Sequence, residues 1–132
     1  MTRLAFIALA AIVLAGCSQR ETVQTGYVPS ASFAALATPE QIFANNDAAM
    51  AHFLASVGRH SPSDKEVNEF PGNRGSQLLL FTAEGLEDDA VRDMQWRVLL
   101  ERAEGGYRVI EAGLRQHCRR SGTNQWTTTP CP

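Results

Sequence analysis

Between Ala90 and Arg102 the chain alternates: Met94, Trp96, Val98 and Leu100 fall on one side of a period-two repeat, and Asp93, Gln95, Arg97 and Glu101 on the other. Successive side chains of a strand point to opposite faces, so this segment is predicted as a β-strand with one dry face and one wet face. A strand of about 13 residues spans roughly 43 Å at about 3.3 Å per residue, too long to lie flat in a small domain. The sheet must therefore twist and curl, and something apolar must cover its dry face.

The neighbouring segments supply the rest of that sheet. Ala103-Glu104-Gly105-Gly106 turns the chain, and Tyr107 to Cys118 returns as a strand with Ile110, Ala112 and Leu114 in phase. Tyr107 and Val109 are out of phase with that set, which predicts a bulge near Val109 or Gly113. Lys65 to Phe70 and Ser76 to Ala83 read as two further strands flanking the turn cluster Pro71-Gly72-Asn73-Arg74-Gly75. The run Leu78-Leu79-Leu80-Phe81 is buried on at least one face.

The cover for the dry face comes from upstream. Thr38-Pro39-Glu40-Gln41 carries a helix start, with Thr38 as N-cap, Pro39 at the first helical position and Gln41 closing a capping box. The predicted helix runs to Val57 with Gly58 as its stop, and Ile42, Phe43, Met50, Phe53, Leu54 and Val57 recur at helical spacing. Asn45-Asn46-Asp47 falls on its other face and weakens its middle. A short helical turn is expected at Phe33 to Leu36, and a polar connection at Arg59 to Asp64.

The chain has 132 residues, 44% apolar residues and a net charge of −2, which excludes collagen-like, coiled-coil, polytopic membrane and disulfide-dense classes. The near-neutral balance argues against a nucleic-acid partner, since neutralising phosphates requires a basic face. Residues 32–132 form one domain of class α+β: one N-terminal amphipathic helix packed on a curled antiparallel sheet of about four strands. That order is similar to cystatin-like folds and, more loosely, to small NTF2-like cones. The similarity is one of architecture and brings no functional residues with it.

The N-terminus has a different chemistry. Met1-Thr-Arg3 is a short cationic start, followed by the uncharged run Leu4 to Ala15. As a helix that run covers about 18 Å, well short of the roughly 30 Å hydrocarbon layer, which fits a signal-peptide core and not a permanent span. Leu14-Ala15-Gly16-Cys17 follows. This resembles the lipobox of bacterial lipoproteins, and the resemblance implies cleavage of residues 1–16, diacylation of the Cys17 sulfur and a new N-terminus there. Ser18, rather than Asp, implies sorting to the outer membrane, facing the periplasm. Residues 17–31 are polar, contain Gly26 and Pro29 and lack periodicity, and they read as a lipidated tether with a reach of about 20 Å.

With Cys17 assigned to lipid, Cys118 and Cys131 remain, in what the resemblance implies is an oxidising compartment. A disulfide between them would pin the tail that carries Trp126 onto the last strand. Two free thiols or half of a metal site are the alternatives. His117 beside Cys118 raises zinc, but adjacent strand residues point to opposite faces and His52 and His60 lie far away, so no metal and no cofactor is expected.

Other clusters are weaker. Glu84, Glu87, Asp88, Asp89 and Asp93 form an acidic connection that lacks the ligand spacing and central glycine of an EF-hand and reads as a solvated turn. Arg115, Arg119 and Arg120, with His117, concentrate positive charge where the last strand ends. They are candidate anion-binding residues for lipid headgroups, phosphates or an acidic protein surface, or simply a solubilising face. His60, Ser61 and Ser63 share a polar loop without the sequence context of a catalytic triad, and no nucleophile elbow is present. Trp96 and Trp126 read as core and tail packing.

The ending, with a tryptophan in a strand, Ala112-Gly113, Cys118-Arg119-Arg120-Ser121-Gly122, Trp126 and Cys131, resembles small uncharacterised proteobacterial envelope lipoproteins over residues 66–132. No activity comes with that resemblance. The expectation is a lipid-anchored periplasmic protein that acts as a noncatalytic module binding a protein or another envelope component. The alternative is a small-molecule binder or enzyme using a pocket between helix and curled sheet.

Overall fold

The computed structural model describes residues 29–57 and 63–132. The expected signal peptide, Cys17 and the expected tether up to residue 28, together with Gly58, Arg59, His60 and Ser61, lie outside the described residues. The fold is α+β, with one short helix and an antiparallel sheet. Its strands are β1 (Ala34–Ala35), β2 (Ile42–Phe43), β3 (Asp64–Pro71), β4 (Gln77–Glu84), β5 (Val91–Ala103) and β6 (Gly106–Cys118), and the helix α1 covers Asn46–Leu54. The order across the sheet is β1-β6-β5-β4-β3, with β2 also pairing with β6. The expected four strands are all present. The two additional ones are two-residue pairings that lack the length to produce a periodic signal.

Helix α1 begins later than the capping box predicts. Thr38 to Gln41 is not helical, and Ile42 and Phe43 instead pair with Arg108 and Tyr107 of β6. This pairing buries Phe43 in the core and leaves Ile42 exposed. It is permitted by Gly106, whose φ of 152° and missing Cβ let the Phe43 carbonyl oxygen come within 2.0 Å of where a side chain would begin. Tertiary pairing therefore overrides the local start signal. The operative N-cap is Asn45, whose side-chain oxygen accepts the Ala48 N–H at 2.9 Å. Asn45-Asn46-Asp47 thus starts the helix instead of weakening its middle, and Asp47 complements the positive end of the helix dipole. The turn expected at Phe33 to Leu36 lies slightly earlier, as a 3-10 turn at Ser30–Ser32, and gives way to β1.

One face of the sheet carries the core. Leu79, Phe81 and Ala83 of β4, Trp96, Val98 and Leu100 of β5, and Val109 and Ala112 of β6 pack with Ala49 and Phe53 of α1. Phe81 and Trp96 stack with ring centroids 5.0 Å apart and planes inclined by 12°. The space between helix and sheet is filled by side chains, with Trp96, Leu79, Val98 and Leu100 fully buried.

The register on β6 explains why its alternation is imperfect. Leu99 faces Glu111 and Leu100 faces Val109, so Ile110 is the extra residue of a bulge and is left exposed. Val109 and Ala112 both reach the core because the slip lies between them. The bulge is next to Val109, as expected, but the in-phase set is Val109 and Ala112 rather than Ile110 and Ala112.

The other face of β5 is not wet along its length, as the alternation predicts. Gln95 and Arg97 are buried there, as are Leu78, Leu80 and Thr82 of β4. Polar residues tolerate this only when their groups are satisfied, and they are. Gln95 Nε2 donates to Thr82 Oγ1 at 2.8 Å, its Oε1 accepts from Arg115 Nε at 2.7 Å, and Arg97 pairs with Glu111.

Candidate functional site

Two regions bring chemistry-bearing side chains together. The first is the margin where α1 meets β3. Helix α1 covers the central strands and leaves β3 beside it, so Met50, Ala51 and Leu54 of the helix, Val67 of β3 and Phe81 of β4 enclose an apolar groove of about 260 Å³. Asp47, Lys65 and Glu66 give it a charged rim. Val67 is 42% exposed, among the most exposed large apolar side chains described.

Strand β3 is also the edge of the sheet, and among the described residues no strand pairs with its outer side. Its unpaired groups can be assigned. The Gly72 N–H donates to the Ser76 carbonyl at 2.8 Å, and in the β3–β4 register hydrogen-bonded pairs recur at every second residue. Phe70, Asn68 and Glu66 therefore face β4, and the backbone groups of Glu69, Val67 and Lys65 face outward. The Lys65 N–H is held locally by Asp64 Oδ1 at 2.7 Å. Lys65, Val67 and Glu69 are cross-strand partners of Ala83, Phe81 and Leu79, so their side chains lie on the helix side, beside the groove.

The second region lies on the opposite face, under the C-terminal tail. Cys118 and Cys131 form a disulfide with Cα atoms 5.3 Å apart, and Thr127 pairs with Gln116. The tail thus runs back along β6 and lays Trp126 over His117, with ring centroids 3.7 Å apart. The Arg115 guanidinium lies between two rings, 4.6 Å from the Phe33 centroid and 4.9 Å from that of Trp126. Burial lowers the Arg115 pKa from its usual value, yet arginine remains charged.

Beneath Trp126, Asp93 is an acceptor for three donors. The Gly85 N–H reaches Oδ1 at 3.0 Å, and Arg92 Nε and His117 Nδ1 reach Oδ2 at 2.8 and 2.9 Å. Burial alone would raise the Asp93 pKa, but these hydrogen bonds and the Arg92 charge outweigh it and hold the carboxyl below its usual range. A bulge at Arg92, between the pairs Val91–Cys118 and Asp93–His117, brings both Arg92 and Asp93 to the same imidazole. His117 Nε2 is buried with no hydrogen-bond partner.

The candidate anion-binding arginines are not gathered into one cradle. Arg115 is engaged by Gln95 and two rings. Arg119 donates from Nε to the Asp88 carbonyl at 2.6 Å and from Nη2 to the Leu86 carbonyl, pinning the β4–β5 connection. Arg120 lies exposed in the turn after β6. In the acidic connection, Asp88 Oδ1 accepts the Ala90 and Val91 N–H groups, forming a local turn. Among the described residues no group of three or more His, Cys, Asp or Glu is arranged to hold a metal ion. Ser63 donates to the Glu84 carbonyl at 3.1 Å, and His52 lies on α1 against Phe43 and Phe53. No described helix is long and apolar enough to cross a membrane.

No protein-family model matches the chain, and no curated protein or solved structure matches it.

Proposed function

We propose that the chain is a bacterial envelope lipoprotein, anchored through lipid on Cys17 and facing the periplasm from the outer membrane, whose domain is a noncatalytic protein-binding module. The single observation that carries the binding role is the unpaired β3 edge lying beside the apolar groove of Met50, Leu54 and Val67. An extended segment added to a sheet edge gains main-chain hydrogen bonds, and an adjoining pocket reads its alternate side chains. The filled interior supports this reading over a small-molecule site, because the space between helix and sheet is occupied by Trp96, Leu79 and Leu100, and the groove opens at the margin of the sheet instead. The helix packed on one face of an antiparallel sheet is compatible with a cystatin-like or NTF2-like curl.

The test is site-specific photocrosslinking in intact cells with a photoreactive residue at Val67 and, as control, at the equally exposed Ile110 on the bulge of β6. The expected result is a discrete protein adduct from position 67 and none from position 110. Equal labelling at both positions, or none at either, overturns the reading.

A further inference from the structure

The side-chain order of β3 specifies what pairs with it. From Asp64 to Phe70 the strand reads Asp-Lys-Glu-Val-Asn-Glu-Phe, and reversed about Val67 it is complementary to itself. We propose that the occupant of the β3 edge is a second copy of this chain, paired antiparallel about a two-fold axis at Val67. The inference rests on β3 being the docking surface and goes further by naming what docks there.

In that register Val67 meets Val67 of the second copy. Lys65 of each chain faces Glu69 of the other on the helix side. On the far side Glu66 faces Asn68, and Asp64 faces Phe70. No like charges are directly opposite, and opposite charges in that position stabilise a strand pair. The backbone agrees with this choice, since the residues whose N–H and C=O groups face outward are Lys65, Val67 and Glu69. The Lys65 N–H exchanges its local Asp64 contact for the Glu69 carbonyl of the second copy.

Neighbouring registers are penalised. Centring the axis on Glu66 sets two Glu66 carboxylates opposite each other, and centring it on Lys65 opposes two ammonium groups. Centring on Asn68 brings Lys65 against Pro71, which has no N–H to give, and centring on Glu69 opposes two carboxylates. Only the Val67 register joins the exposed Val67 side chains and the two apolar grooves across the axis, covering the apolar surface that β3 leaves open. The contact is isologous, so each copy presents the same surface to the other.

The experiment measures self-association of the full chain in detergent by sedimentation, for the unaltered protein, Lys65→Glu, Glu69→Lys and an equimolar mixture of the two variants. Both positions are exposed or half-exposed at the sheet edge, so the substitutions leave the core untouched, and circular dichroism of each variant verifies this. The unaltered chain is expected to dimerise. Each single variant, which opposes like charges twice across the axis, is expected to do so about ten-fold more weakly. The mixture is expected to regain the lost affinity as a heterodimer, because the two carboxylates of one variant then face the two ammonium groups of the other at these positions. A monomeric unaltered chain, unchanged single variants, or a mixture no better than either variant overturns self-pairing. In those cases a photocrosslink from Val67 to a different protein leaves the docking reading standing with another occupant, whereas its absence removes both.

Discussion

Trp126 lies flat on His117, its indole inclined by 18° to the imidazole and 3.7 Å from it between centroids. This contact joins the end of the chain to β5, because the same imidazole holds Asp93 through Nδ1. It depends on the disulfide, which returns the tail to β6.

Reduction of Cys118–Cys131 by a dithiol, or Cys131→Ser, is therefore expected to free the tail and unstack Trp126. A loop of this length contributes about 3 kcal/mol in the chain-entropy model. The melting temperature should fall by roughly 10–20 °C for a domain of this size. Tryptophan emission should shift to longer wavelength in the native state as Trp126 is exposed, while Trp96 remains buried. Emission unchanged by reduction refutes the coupling.

Asp93 gives the fold an acid-sensitive contact. Its carboxyl pKa is held below the unfolded value, so its contribution is fully present above the unfolded pKa and disappears as the pH falls through the folded value. Asp93→Asn is expected to cost about 1.5–3 kcal/mol at pH 7, the range for hydrogen bonds to a charged group. The gap between the two proteins should close as the pH falls below about 4. Urea denaturation at pH 7 and pH 3 measures it.

Gly106→Ala places a Cβ against the Phe43 carbonyl oxygen, 2.0 Å away, in a backbone conformation that side chains disfavour. The β2–β6 pairing must open, and Phe43 with it. The expected loss is about 2–4 kcal/mol, combining backbone strain with partial exposure of a core phenylalanine. Gly105→Ala, a positive-φ neighbour with open space around it, should cost less. Equal losses for the two variants, compared by thermal denaturation, would show that the close approach of Phe43 does not matter.

Cys17→Ser is expected to abolish fatty-acid labelling and move the chain from the membrane fraction to the soluble one. Two or three acyl chains make anchoring effectively stable, whereas the apolar run Leu4 to Ala15 is too short to span. A substituted chain that remains acylated refutes the lipid assignment.

The parts of the fold legible from sequence are those set by local alternation. β5 is long, and its alternating core residues Trp96, Val98 and Leu100 are fully buried. Setting Cys17 aside as the lipid site leaves Cys118 and Cys131 as the expected pair, and they are bonded. What the sequence conceals depends on distant partners. The start at Thr38 is a sound local signal that loses to the pairing of Phe43 with Tyr107, and Gln95 on the polar face of β5 is bonded to an Arg115 guanidinium that Phe33 and Trp126 flank from opposite ends of the domain. The β3 edge is hidden for a different reason: its residues read as an ordinary polar strand until the sheet order shows that nothing described lies beyond it. The one signal of it in the sequence is Val67, alone among polar and charged neighbours.

The two margins of the sheet are finished differently. Along β6, strands β1 and β2 and the Gln116–Thr127 bridge cover the outer side in three short stretches, and the Ile110 bulge breaks the gap between them. Among the described residues, β3 is the one edge strand longer than two residues, and so the one with length enough to pair along a further strand. A sheet with one usable margin terminates growth as soon as that margin is filled, so association through β3 ends in a closed pair and cannot propagate into a fibre.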